Sequence, residues 1–446
     1  MKDILLEKVF EAKRWENAIE KGFFKGIDKG ELRKLCSPET RVRLAMAILE
    51  DNYEIAPPHQ ALIPKDNREF RTVYVNENID RIFLSIVNDL LFEWCSDMIH
   101  PACKSYQKGI GCGKVVQEIS RKLQPDLHQR SNDILGFKAD LSKYFDSVPI
   151  EFIDDAFDCV ERRTGKSKVI TILRKYYHTD LCFDPDGNLI KHYQSLKQGC
   201  AVASFLADVM LHHVDLKLYE KSRINMASMY VRYSDDILYI GTQYENAMSI
   251  LEEELNKMSM KFTPKKVEYL TGDKWFKFLG FMIKGSQITL SPNRVKQFQK
   301  EISKRSIGNL NYHVGGKIAL KSINRYLYKG DGTYSWATQV LPIINVEKDI
   351  DTLNEFVMDC IRACQTGKRN IGGLGTVTNR KDCTILRGTG KNVSANRKNT
   401  EKEIEFLRRG ENPFESEFSE EEMEHGDIEW DFAAVDEYGR TIVDWD

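Results

Sequence analysis

No run of apolar residues in this 446-residue chain approaches the roughly 18 to 20 needed to span a bilayer. The first stretch, MKDILLEKVFEAKRWENAIEKG, lacks the apolar core of a secretory leader and reads as a charged amphipathic helix. No membrane association and a cytoplasmic location are therefore expected. Zinc chemistry is missing as well. The ten cysteines are scattered, none forms a CxxC pair, and the nine histidines complete no zinc pattern with them. Cys360 and Cys364 stand one helical turn apart, which reads as one buried helix face, so reduced thiols are the expectation. No internal repeat is found.

What is present is a strong asymmetry of charge. The net charge of −2 hides 17 acids against four bases in residues 401–446. The remaining 400 residues carry 61 bases against 50 acids. A basic body with an acidic tail fits a nucleic-acid-binding protein, and composition alone fits an acidic solubility tail equally well.

Along the chain, residues 1–56 read as helices, and APPHQALIPKDNREFRTVYVN as an extended stretch with a β-rich run at Thr72–Val75. Helices are predicted over Glu77–Ile99 and Lys114–Leu127, a strand over Ile134–Asp140, and helices near 150–163 and 166–178. A hairpin is expected around Asp186-Gly187, then one long helix over Ala201–Lys221, a hairpin over Met229–Gly241 and a helix over Tyr244–Met258. Short strands run through Phe278–Ile283, and from Ser291 the pattern turns helical. Residues 366–400 are basic, weakly patterned and read as a linker. Mixed strands and helices with acids on central strands predict an α+β fold, an antiparallel sheet backed by helices.

The segment YVRYSDDILYIG, residues 230–241, carries the chemistry. Asp235 and Asp236 sit at a tight turn between two apolar, β-branched and aromatic runs, which reads as a hairpin with the acids at its tip. Asp140 ends another apolar run in FKADLSKYFDSVP. Carboxylates on rigid strand ends are what a polymerase needs to hold two divalent metals that activate a 3′-hydroxyl and stabilise leaving pyrophosphate.

Taken in order, these pieces resemble the palm-and-fingers core of reverse transcriptases, in particular bacterial ones of the group II intron, retron and defence-associated kinds, over roughly residues 55–345. The resemblance implies a right-hand polymerase. It would have N-terminal helices and fingers over 1–130, a palm over 131–285 with finger insertions, and a helical thumb over 286–345. A C-terminal extension over 346–446 would hold the basic linker and acidic tail. DLSKYFD matches the first palm motif: Asp140 and the carbonyl of Leu141 are implied metal ligands, and Phe145 the aromatic gate that clashes with a ribose 2′-hydroxyl. Asp146 would cap or orient. SLKQGCAVASFLADVML matches the second motif, with Gln198 and Gly199 beside the templating base pair. In the third, Asp235 is the stronger ligand and Asp236 the weaker, with Tyr233 near the primer end. MKFTPKKVEYL places Lys266, with Lys265 as an alternative, near the leaving pyrophosphate. WFKFLGF resembles a primer grip turning at Gly280, or is simple core.

In the fingers, Lys65 and Arg71 would hold the triphosphate, and Arg81 matches a family arginine or makes a structural salt bridge. SYQKGIGCGK resembles a template-contacting segment. Arg294, Lys296, Lys300, Lys304 and Arg305 read as a thumb helix facing a duplex, or as a solvated face. The implied reaction is RNA-directed DNA synthesis with two Mg²⁺ ions, Mn²⁺ being a possible substitute. The implied partners are an RNA template, dNTPs and the DNA product, and a homo-oligomer is possible. The YSDD spelling, together with the lack of endonuclease, RNase H and maturase features, points to a domesticated, defence-associated enzyme using a cognate non-coding RNA. A template-independent nucleotidyl transferase on the same palm and a catalytically silent RNA-binding scaffold are the alternatives.

Overall fold

The computed structural model describes residues 2–366 apart from 22–23, 25, 65–69, 108, 124–133, 142, 225–227, 261–266, 309–315 and 330–334. The basic linker and acidic tail lie outside the described residues, as do Lys65, Lys265 and Lys266. The chain divides into two compact units, Met1–Lys108 with Asp133–Thr271, and Gly109–Asn132 with Gly272–Asp446.

The first unit mixes helices with two four-stranded sheets, in keeping with the expected α+β class. Its N-terminal helices are started by side chains: Asp28 accepts from Gly30 and Glu31, and Ser37 accepts from Thr40 ahead of Pro38. Strands β1 (His59–Pro64) and β2 (Phe70–Val75) pair antiparallel. The helix Asn78–Trp94 follows, apolar almost all round, with Ile82, Phe83, Leu84, Val87 and Leu90 fully buried.

Strand β3 (Ile134–Asp140) sends Phe137 and Ala139 into the core. After the helices Ile150–Thr164 and Lys168–His178, β4 (Leu181–Phe183) and β5 (Leu189–Lys191) form the expected hairpin. Its turn is set by the Asp184 carboxylate, which accepts from the backbone of Asp186 and Asn188. These two strands extend the first sheet to the order β2-β1-β4-β5. The second sheet has the order β6-β7-β3-β8, from β6 (Met229–Tyr233), β7 (Asp236–Ile240), β3 and β8 (Glu268–Thr271).

One long helix over 201–221 was expected. The structure divides it into Val202–Met210 and His212–Ser222, with Leu211 leaving helical geometry at φ −96°, ψ 17°. No Pro or Gly stands at the break, so no local signal announces it.

In the second unit, helix Cys112–Lys122 packs on β10 (Phe281–Lys284) and β11 (Gln287–Leu290), which pair in the order β11-β10-β9 with β9 (Phe276–Phe278). The helix Cys112–Lys122 thus packs with elements from the later part of the chain. Leu279 and Gly280, at φ +49° and +74°, make the β9–β10 turn, and Gly280 adopts the second left-handed position at no steric cost.

The helix Pro292–Ser303 corrects part of the expected phosphate-facing row. Arg294 is buried, its guanidinium 4.6 Å from the Phe281 ring centroid and 5.7 Å from that of Trp336. Arg305 pairs with Glu301 and lies 4.3 Å from the Tyr326 ring centroid. Both guanidinium groups are spent on internal stacking and pairing. Lys296 and Lys300 are exposed. Among the described residues no helix is long and apolar enough to cross a membrane.

Candidate active site

The three acids come together because of strand register. Asp140, the last residue of β3, lies opposite Asp236, the first of β7. Tyr233 closes the β6–β7 hairpin against Asp236, leaving Ser234 and Asp235 as a two-residue turn with Ser234 at φ +55°. The Leu141 N–H donates to the carbonyl of Asp235 at 3.3 Å. One end of the sheet thus gathers Asp140, Leu141, Asp235 and Asp236. Lys138 adds a cation that sequence reasoning missed: its Nζ stands 3.9 Å from Asp236 Oδ1. Its position two residues before Asp140 on β3, hence on the same face, was the available signal.

Beneath the turn lies a buried polar network that the sequence reading also missed. Arg232 is 0% exposed and forms a two-pronged pair with the fully buried Asp215, Nε to Oδ1 and Nη2 to Oδ2 both at 2.7 Å. Tyr230 Oη also donates to Asp215 Oδ1, at 2.8 Å. Arg232 Nη1 reaches the Ser234 carbonyl at 3.0 Å, and Nη2 the Asp208 carbonyl at 2.8 Å. From the other side the Ser234 N–H donates to Ser105 Oγ at 2.9 Å, and Ser105 Oγ donates to Asp208 Oδ1 at 2.5 Å. Cys103 Sγ is 3.3 Å from the same hydroxyl, and Gln107 Nε2 is 3.5 Å from Asp208 Oδ2. Burial pushes the Asp208 carboxyl up to about 7, against the opposing pull of Arg232 and the Ser105 bond.

The residues expected around an incoming nucleotide are joined by the loop Gln194–Cys200. Phe145 is half-buried, its ring 5.5 Å from that of Tyr144, and its carbonyl accepts from Leu196 N at 3.1 Å. The Gln198 carbonyl accepts from Tyr74 N at 2.7 Å, which ties the loop to β2, three residues beyond Arg71. Gly199 has φ +105°, and a Cβ there would lie 2.9 Å from the Tyr74 carbonyl, so both conformation and contact demand glycine. Lys197 braces the loop from inside. It is buried and donates to the Thr179 carbonyl at 2.9 Å and Gln194 Oε1 at 2.8 Å, and burial lowers its pKa to about 8. Phe145, Gln198, Gly199 and the Arg71 strand therefore form one hydrogen-bonded assembly. The Arg81 guanidinium lies 5.9 Å from the Phe24 ring centroid and donates to Asn78 Oδ1 at 3.4 Å.

Whether this donor set suits a metal turns on its chemistry. Among the described residues no three acidic, histidine or cysteine side chains form a ready-made cage. A Mg²⁺-like ion does not require one, since it keeps waters and is held by one or two carboxylates together with substrate phosphates. Oxygen donors of Asp140, Asp235 and Asp236 at one sheet end, with the Leu141 carbonyl adjoining, fit that mode.

A family model described as reverse transcriptase (RNA-dependent DNA polymerase) matches residues 63–283. No curated protein matches the sequence. Among solved structures, apo telomerase from Candida tropicalis aligns at 14% identity and a TM-score of 0.45, covering 70% of this chain and 58% of that one. Telomerase from Candida albicans in complex with a TWJ fragment of telomeric RNA aligns at 12% identity and a TM-score of 0.41, covering 71% and 60%. The chain thus spans less than two thirds of the length of each of these telomerase chains.

Proposed function

From the reverse transcriptase domain that residues 63–283 form, we propose that this chain copies an RNA template into DNA at the sheet end bearing Asp140, Asp235 and Asp236. The chain is a nucleotidyltransferase of the reverse transcriptase kind, on the α+β right-hand polymerase fold. The observation that carries the proposal is the cross-strand pairing of Asp140 with Asp236, which gathers three carboxylates at one end of the sheet.

Reverse transcriptase domains use divalent metal ions, read here as two Mg²⁺. When bound, they supply charge neutralisation and a more acidic 3′-hydroxyl. The chain's own residues do the rest. Asp140, Asp235 and the Leu141 carbonyl hold the ions, and Asp236, shared with Lys138, is the weaker ligand. Gln198 and Gly199 border the templating pair, and Phe145 excludes a 2′-hydroxyl. Arg71 and Lys65 receive the triphosphate, and Lys266 protonates the leaving pyrophosphate. Residues 1–130 serve as N-terminal helices and fingers, 131–285 as palm, 286–345 as thumb and 346–446 as an extension. The YSDD spelling supports a bacterial, defence-associated enzyme that copies a cognate non-coding RNA, with the cytoplasm as its place of work.

Purified chain offered labelled dNTPs or NTPs with Mg²⁺, with and without its co-purifying RNA, tests the proposal. Incorporation of dNTPs that disappears with the RNA is expected. Synthesis that persists without RNA would shift the assignment to untemplated transfer, and no incorporation at all would leave an RNA-binding scaffold. Phe145→Val should raise NTP use by at least about tenfold, for a steric clash worth more than ~1.4 kcal/mol. An unchanged sugar preference would make Phe145 a core residue.

A further inference from the structure

The hairpin turn that presents Asp235 is held by groups remote in sequence. The Ser234 N–H and C=O, the two backbone groups bordering Asp235 on its N-terminal side, are both taken by buried side chains, Ser105 Oγ at 2.9 Å and Arg232 Nη1 at 3.0 Å. Arg232 is locked by its two bonds to Asp215, so the carbonyl side of the turn has a rigid anchor. The N–H side depends on a single-bonded hydroxyl rotor, which is inherently looser. Because the Ser105 oxygen receives the Ser234 N–H, its own proton must go elsewhere. Two acceptors stand within reach, Asp208 Oδ1 at 2.5 Å and Cys103 Sγ at 3.3 Å. A carboxyl oxygen, ionised or not, is a much stronger acceptor than a thiol sulfur, so Asp208 decides where the rotor points. Ser105 belongs to the loop after Ser96–Met98 and Asp208 to the helix Val202–Met210, so the relay ties two separate elements to the turn.

We propose that Ser105 and Asp208 are positioning residues for the metal-holding carboxylates, acting through a relay from the Ser234 N–H to the Ser105 hydroxyl to Asp208 Oδ1. The proposal rests on the reading of Asp140, Asp235 and Asp236 as a divalent-cation site. Without the hydroxyl, the Ser234 N–H is left unsatisfied in a site 8% exposed, and a residue at positive φ loses one of its two restraints. The Asp235 carboxylate, on the next residue, then loses its fixed aim. Without Asp208 the hydroxyl remains but is free to swing to Cys103. Asp208→Asn keeps an acceptor oxygen in the same place, so it restores what Asp208→Ala removes.

The test is Mn²⁺ binding to the full chain without nucleic acid, read by electron paramagnetic resonance of the free ion, with thermal melting as the check on folding. Ser105→Ala should weaken Mn²⁺ binding about fivefold, as expected for one lost hydrogen bond. Asp208→Ala should do likewise, and Asp208→Asn should recover most of that loss. The double variant Ser105→Ala/Asp208→Ala should be no weaker than Ser105→Ala alone, because both act through one relay. Unchanged binding in a folded Ser105→Ala chain overturns the proposal. If that variant does not fold, Asp208→Asn proving as weak as Asp208→Ala overturns it. Asp235→Ala separates the two levels of reading. Loss of Mn²⁺ in Asp235→Ala with none in Ser105→Ala sinks the positioning role alone. Retention in Asp235→Ala sinks the metal-site reading and this proposal with it.

Discussion

The β6–β7 turn at Ser234–Asp235 and the β9–β10 turn at Leu279–Gly280 are both two-residue hairpin loops whose first residue is left-handed without being glycine, at φ +55° and +49°. They are held in opposite ways. The second turn buries Leu279 to 3% exposure, follows it with a glycine at φ +74°, and has the Gly280 carbonyl capped by the Ser291 N–H at 3.0 Å. Burial and local turn chemistry account for it. The first turn has no glycine and carries carboxylates at its tip, which cannot be buried without losing their charge. Its restraint comes instead through the backbone, from Ser105 and Arg232 reaching in from below. A turn that must stay open on one side is anchored on the other.

If that contrast is right, the largest effect in the molecule is chemical rather than structural. Asp235→Ala or Asp140→Ala should lower DNA synthesis by roughly 10³-fold or more, since each removes a ligand for transition-state charge. The melting temperature should hold or rise, because a strand-end carboxylate held for function is no asset to the fold. Primer extension and thermal melting on the same preparations decide it. Near-normal incorporation by Asp235→Ala would end the assignment of this turn as the active site.

The open side of the turn was legible in the sequence and the anchored side was not. Acids between two β-branched and aromatic runs mark a hairpin tip, and Asp140 at the end of an apolar run marks a second strand end, whereas the register that joins them appears only in the structure. Gly199, expected beside the templating base pair, has φ +105° and lies against the Tyr74 backbone, a demand for glycine that protein contacts alone already make. Ser105, Asp208 and Asp215 carried no such mark. Ser105 meets Ser234 across 129 residues and Asp208 across 103, and nothing in local periodicity pairs a loop serine with a helix aspartate. Arg294 and Arg305 misled for a related reason: a basic helix face and a set of guanidinium groups stacked on aromatic rings look alike until the partners Phe281, Trp336 and Tyr326 are placed. The break at Leu211 likewise has no breaker residue to announce it.

Removing the anchor should cost stability as well as activity. Arg232→Met leaves Asp215 buried at 0% exposure without its guanidinium partner, and breaking a buried pair on one side costs about 3–5 kcal/mol. Urea unfolding of the full chain measures this. A loss under about 1 kcal/mol would mean that the pair is not what secures the turn. The other hairpin should show the complementary profile. Leu279→Ala removes buried side-chain volume at a position whose left-handed backbone alanine tolerates no better than leucine, so about 2–3 kcal/mol is expected from the lost packing alone. A cost near zero there would show that burial is not what holds the apolar turn.

The smallest effect expected is a change in how stability depends on pH, and it isolates the carboxyl at the foot of the anchor. Burial raises the Asp208 pKa from an ordinary 3.8 to about 7 in the folded chain. Between those two values the folded protein keeps a proton on Asp208 that the unfolded chain has lost. The folded state therefore binds more protons, and Asp208 makes stability fall as pH rises from about 4 to about 7, with the full penalty present above that range. Asp208→Asn cannot ionise and carries no such penalty. Its stability relative to the parent should therefore improve from pH 5 to about pH 7 and level off above it, by on the order of 1 kcal/mol or more. Unfolding curves of both proteins at pH 5, 6, 7 and 8 give the slope directly. A difference that stays flat across this range would place the Asp208 carboxyl below pH 5, meaning that Arg232 and Ser105 outweigh burial and that the relay is ionised throughout. A difference that grows would show the anchored side of the turn titrating near neutrality, with no counterpart at the Leu279–Gly280 hairpin.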